Sequence, residues 1–187
     1  MTSTERRTFI LVDGENLDAT LGGSVLARRP EPEERPRWER LLSYAEELWD
    51  QPVTGLFFLN ASHGQLPMTF VQALLAIGYR PVPLSGGPGE KVVDIAIQRT
   101  LVELRTREAD VLLVSNDGDF VEQVADLLDG RRVGVVGFGE FRNSAFTQLA
   151  ERGLEHFDLE YDVQAFNERL PRVRIIPIDE FDPVQVL

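Results

Sequence analysis

The chain has no cysteine, two histidines and, among its 19 basic residues, a single lysine, Lys91. Without thiols there is neither a disulfide framework nor a thiolate zinc site. His63 and His156 stand far apart in sequence, which leaves little for a histidine metal centre or a His-based triad. The apolar runs are far too short to span a membrane, and MTSTERRTFILVDGEN lacks a signal-peptide core before a small-residue cleavage site. A cytoplasmic protein with no membrane partner is the expectation. Positive charge is also scarce, with a formal net charge of −12 and a pI of about 4.6. That balance excludes a protein that coats nucleic acid through a basic surface. It leaves room for a site that meets phosphate through bound cations, which invert the local electrostatics.

What is present reads as one globular domain. A chain of 187 residues, 43% hydrophobic and 27% charged, is long enough to bury a substantial core. Short apolar runs predict strands at 8–12, 53–59, 79–84, 110–114 and 132–137, with a further short one at 155–159. Helical spacing predicts helices at 37–49, 67–77, 91–107, 119–129 and 143–152, the second opened by Pro67 and closed by Gly78. Two prolines, Pro81 and Pro83, place the third strand at a sheet edge. Strict alternation of strand and helix predicts a three-layer α/β fold around a mainly parallel sheet, in the order 3-2-1-4-5.

Two segments fall outside the alternation. Residues 21–36, LGGSVLARRPEPEERP, form a Gly/Pro-rich insertion in which Arg28, Arg29 and Arg35 face Glu31, Glu33 and Glu34. Together with Arg37 these arginines are the candidates for RNA contact, opposed by the neighbouring glutamates. Residues 161–187 follow the main domain at 1–160 as an extension. Ile175, Ile176, Ile178 and Phe181 are too apolar for a free linker and predict docking, on the chain's own domain or on a partner such as a second copy.

The chemistry concentrates where strands end. Asp13 follows the first strand in TFILVDGEN, and Asp117 and Asp119 follow the fourth in VLLVSNDGDF. In an open parallel sheet, ligands bind beyond the carboxyl ends of the strands where the strand order reverses. The order 3-2-1-4-5 makes strands one and four neighbours at that point, so the three carboxylates converge. A fourth, Asp94, heads a helical stripe continued by Ile97, Leu101 and Leu104, and an acid on a core-facing stripe is costly unless paired or metal-bound. Each piece alone has an ordinary explanation as a turn or a helix cap. Together they predict a carboxylate site for Mg²⁺ or Mn²⁺, which can activate water and stabilise displacement at phosphorus.

The same residues resemble the NYN domain family, in its LabA-like (DUF88) branch of the PIN-like nucleases. Similar parts are VDGENL after strand one, KVVD opening a helix, SNDGDF after strand four, VVGFG at strand five and NSAFTQLAERGLEHFDL at the end. The resemblance covers about residues 8–160. It implies a PIN-like Rossmannoid fold and a metal-dependent ribonuclease that hydrolyses RNA phosphodiester bonds. Carried over by position, Asp13, Asp94, Asp117 and Asp119 are the catalytic metal ligands, with Asn16, Lys91 and Ser115 as accompanying residues at the substrate. Asn116 departs from the family, which usually has Gly there, and the insertion and the extension are not generic parts.

Two other functions stay open on the sequence. A haloacid-dehalogenase-like phosphatase also uses strand-end aspartates, but it requires a second Asp where Glu15 stands. A non-catalytic module, retaining the acidic site and acting through protein partners, suits the low pI and the apolar tail.

Overall fold

The computed structural model describes residues 6–173 and 175–187. Among these, six parallel strands form one sheet in the order β3-β2-β1-β4-β5-β6. In chain order the elements are β1 (Arg7–Asp13), α1 (Gly14–Thr20), α2 (Trp38–Trp49), β2 (Val53–Asn60), α3 (Met68–Ala76) and β3 (Arg80–Leu84). They continue through α4 (Val92–Leu104), β4 (Ala109–Val114), α5 (Val121–Leu127), β5 (Val133–Gly137), α6 (Ser144–Gln148) and β6 (Glu155–Asp158). The expected order holds and the sixth strand extends it. β3 lies at the edge, where Pro81 and Pro83 remove N–H groups that no strand beyond would need.

Two-residue alternation divides the core. Ile10, Val12, Leu112, Val114 and Val136 face one side, where Leu17 of α1 and Trp38, Leu41, Ala45 and Trp49 of α2 cover them. Leu11, Val111, Leu113, Val133 and Val135 face the other, under Ile97, Leu101 and Leu104 of α4 and Val124 and Leu127 of α5. All six residues of β4 are buried, as a central strand covered on both faces requires. The helices are shorter than their periodicity suggested. α4 begins after Lys91 and ends at Leu104, while α5 is preceded by a tight turn at Gly118–Phe120. Gly78 and Gly153 close their helical segments at φ of 99° and 100°, where a side chain would be strained.

The insertion is anchored rather than loose. α1 runs on into a wide helical turn, Leu21–Val25, whose two end residues are buried. Arg28 then pairs with Glu34 at 2.6 Å, and Arg35 with Asp18 at 2.6 Å.

The extension docks at a different place from the isoleucines. Val163, Ala165, Phe166 and Leu170 enter the core beside α2, and Arg37 N donates to Ala165 O at 2.7 Å. Arg172 follows with its side chain only 1% exposed. It lies over the rings of Phe138 and Tyr161, at 5.1 and 4.6 Å, and binds the carboxylates of Glu140, Asp158 and Glu160. Past that clasp most of the described residues are exposed. Ile175 and Ile178 are 96% and 86% exposed, Phe181 is exposed too and Ile176 is half-buried, so Ile175, Ile178 and Phe181 do not pack on the chain's own domain, and docking on a partner stays open. Apolar composition signalled a contact without saying which residues make it. The segment that packs is the one β6 delivers directly to the sheet.

A buried cation among three acids leaves uncompensated charge when it is removed. Arg172→Ala should therefore destabilise the fold by about 3–5 kcal/mol, read as a shift of the urea midpoint. A change within about 0.5 kcal/mol would show that the clasp is ornamental.

Candidate metal centre

β1 and β4 pair in parallel with Val12 opposite Val114, so Asp13 and Ser115 leave the sheet side by side. The chain after β1 turns to one face, into α1, and the chain after β4 to the other, into α5. A crevice opens between them. Into it project Asp13, Asp94 and Asp117, each offering a carboxylate oxygen within 4.8 Å of the others. Asp13 and Asp117 thus meet as the strand order led us to expect and α4 adds Asp94, while Asp119, expected with them, is not part of the set.

Local hydrogen bonds hold the two strand ends together. Ser115 Oγ donates to Asp13 Oδ2 at 2.8 Å and accepts from Asp117 N at 3.1 Å. Asn16 N donates to Asp13 Oδ1 at 3.4 Å, and Asn16 Oδ1 accepts from Asn116 N at 2.9 Å. Asn16 and Ser115, expected near the substrate, are turned onto the site's own backbone and carboxylates. Asp119 stands apart from the three-carboxylate set. Its Oδ2 lies 3.1 Å from Lys91 Nζ, which also reaches Asp94 Oδ2 at 3.5 Å. Lys91 is thus a bridge between α4 and the β4 loop, exposed on its outer side.

Asn116, the residue in the turn that departs from the family's glycine, has a task in the structure. It is buried, and its Oδ1 accepts from Phe138 N at 3.0 Å, tying the ends of β4 and β5. A Cβ at Gly137 would lie 1.9 Å from that oxygen. The glycine of VVGFG is therefore the space that Asn116 fills, a pairing legible only once the two strands are known neighbours.

Electrostatics separates this end of the sheet from the other. Asp110, buried at the opposite end, receives Arg6 at 2.7 and 3.0 Å, Gln51 at 2.8 Å and Arg132 N at 2.9 Å. Burial pushes its pKa up, but those donors outweigh it and hold the group below its ordinary value. Asp13, 2% exposed, has no cationic partner among the described residues. Burial raises its pKa to about 6, opposed by Ser115 and Asn16 and reinforced by Asp94 and Asp117. Asp94 is raised as well, first by burial and then by Asp117, against the pull of Lys91. A buried acid left without a counter-charge, facing two more carboxylates, is the donor set a hard divalent cation requires.

Against known proteins, the NYN domain family matches residues 7–156. The chain belongs to the NYN domain family. NYN domains are a PIN-like nuclease family whose members typically use divalent metals, and an aspartate cluster is present in this chain. The fold is also similar to the crystal structure of VPA0982, a protein of unknown function from Vibrio parahaemolyticus. The TM-score is 0.65 at 18% identity, over 87% of this chain and 98% of that one. No curated protein matches by sequence. Among the described residues, no helix is long and apolar enough to cross a membrane.

The raised pKa of Asp13 carries a stability prediction. Below pH 3.8 the group is neutral folded and unfolded; above about 6 it is charged in both, and only the fold resists that charge. Metal-free protein should lose stability as pH rises through this window, by at most about 3 kcal/mol. Asp13→Asn should remove that loss, so in EDTA at pH 7.5 the variant melts above the parent. Mn²⁺ should raise the parent's Tm and leave the variant's unchanged. Equal melting of the two proteins with and without metal would discard the site.

Proposed function

We propose that this NYN domain is a Mg²⁺- or Mn²⁺-dependent ribonuclease that hydrolyses RNA phosphodiester bonds at the crevice between β1 and β4. The supporting observation is the carboxylate triad, Asp13, Asp94 and Asp117, at the sheet's topological switch point, in which Asp94 is paired with Lys91 while buried Asp13 has no cationic partner among the described residues. Three oxygens within 4.8 Å, one of them on a buried acid of raised pKa, fit a cation bound through carboxylates and water. Such an ion, when bound, supplies an activated water and offsets charge developing on the phosphate.

The chain's own residues prepare that chemistry. Ser115 and Asn16 hold Asp13 in one orientation, so the carboxylate need not reorganise when its counter-charge arrives. Asp117 caps the turn through Asp119 N at 2.9 Å, which fixes the carboxylate on the crevice side of β4. Lys91, bridging Asp94 and Asp119 and exposed beyond them, is placed to exchange a carboxylate for a phosphate oxygen. Asp119 is then an outer member of the site, acting through Lys91, rather than a fourth equal ligand. The LabA-like branch and a cytoplasmic location belong to the same proposal, with RNA as the partner. Arg28 and Arg35 are engaged by Glu34 and Asp18, which leaves Arg29 and Arg37 as the insertion's candidates for RNA.

A second reading is a non-catalytic module that keeps the metal site and works through a protein partner or a second copy. The exposed apolar side chains of Val173, Ile175, Ile178 and Val184 favour it.

Cleavage of end-labelled single-stranded RNA in Mn²⁺ separates the two. Asp13→Asn and Asp117→Asn should each lower the rate by about two orders of magnitude or more, and EDTA should abolish it. Lys91→Ala should weaken RNA binding more than it alters metal binding. Full activity in both aspartate variants would reject the nuclease assignment.

A further inference from the structure

Beside the acidic crevice lies a cavity of about 980 Å³ that the metal chemistry does not use. Its walls are the insertion from Arg29 onward, the start of α2 and the side of α3 that carries Phe70 and Leu74; its floor includes Leu17 of α1 and Phe57 and Leu59 of β2. Phe57 stands edge-on to Trp38 at 5.2 Å and to Phe70 at 5.3 Å; Phe57 and Trp38 are buried in the core, and half-buried Phe70 is the ring most accessible from the interior. The volume falls within the range of small-molecule sites, roughly 300–1,000 Å³. The insertion wall is preformed, held by buried Leu21 and Val25 and by the Arg28–Glu34 and Arg35–Asp18 pairs.

The cavity is continuous with the site. Gly14, which lines it, follows Asp13 directly, and Glu15 lines both this cavity and the smaller cleft containing Lys91 and Asp94. A strand whose phosphate sits at the carboxylates would bring its next base within reach of the opening. The rim selects the kind of occupant. With Asp18 and Arg35 paired to each other, it presents Arg29 and Arg37 against Glu15, Glu31 and Glu39. That near-balance suits a neutral planar group with donors and acceptors on its edge. It suits less well the chain's own acidic tail segment, which carries Asp179, Glu180 and Asp182.

We infer that this cavity receives an unstacked nucleobase of a single-stranded substrate, next to the phosphate held at the aspartates. The inference rests on the nuclease reading and adds a specificity element to it, built in part from the insertion. Base–aromatic stacking is tolerant of sequence, so the pocket selects single strands over duplexes more than one base over another. A duplex keeps its bases stacked and offers nothing to the cavity.

The test is binding by the full chain in Ca²⁺, measured as anisotropy of a labelled single-stranded RNA pentamer and of the same pentamer with all bases removed. The parent should bind the base-bearing pentamer about tenfold tighter or more. Ala73→Phe fills the cavity from an exposed position on α3, so folding should survive, as checked by thermal melting. It should erase the difference while leaving the abasic affinity unchanged. Phe70→Ala, which removes a wall instead of filling space, should give a partial loss. Equal affinity of the parent for the two pentamers would overturn the inference, as would a difference that survives Ala73→Phe. Displacement of RNA from the parent but not from Ala73→Phe by a peptide of residues 175–187, without any base dependence, would overturn it in favour of the tail. Cleavage in Mn²⁺ is scored separately. Cleavage without base-dependent binding removes only the pocket, and base-dependent binding without cleavage removes only the nuclease reading.

Discussion

The parallel pairing of β1 with β4 is the constraint on which the site depends. These strands lie about a hundred residues apart in the chain, yet they run side by side and finish at the same edge of the sheet. Because the chain leaves β1 toward one face and β4 toward the other, no connection crosses the gap between their ends. Side chains that follow the two strands must share the resulting crevice. Asp13 and Asp117 meet there for topological reasons, before any specific interaction between them is counted. The stripe on α4 that packs Ile97 and Leu101 against the sheet carries Asp94 to the same place.

Holding carboxylates together this way opposes folding, and the molecule shows how that opposition is contained. At one end of the sheet Asp110 is buried and fully answered by a guanidinium, an amide and a backbone N–H. At the other end Asp13 is equally buried and answered only by a hydroxyl and a distant N–H. The same residue type in the same sheet thus has its pKa moved in opposite directions. Burial raises both groups; at Asp110 the facing donors outweigh it, and at Asp13 they do not. Leaving a buried acid without a counter-charge is unfavourable for the apo fold, and it is the electrostatic condition for capturing a cation. Function and stability are in tension at this one position.

The insertion and the C-terminal segment have separate roles. Residues 159–172 complete the layer over β5 and β6, with Arg172 joining Glu140, Asp158 and Glu160 between two aromatic rings. The insertion does the same at the other end, closing one side of the apolar cavity next to the carboxylates. Both lie outside the strand–helix alternation, and both become ordered by salt bridges and a few buried apolar side chains rather than by long regular elements.

Much of the architecture was legible from local pattern. Apolar runs, helical spacing, Gly78 and Gly153 as stops, and the prolines of β3 report short-range physics, and each appears where that physics puts it. The carboxylate convergence was legible too, because strand order follows from the alternation and the switch point follows from strand order. Element ends were less so, since packing decides where a helix such as α4 stops. Asn116 filling the space above Gly137, Asp119 pairing with Lys91, and Phe166 packing into the core are contacts between residues distant in sequence. A linear pattern records which side chains are apolar or charged. Only the folded chain decides which of them find one another, because burial and pairing are properties of neighbours in space.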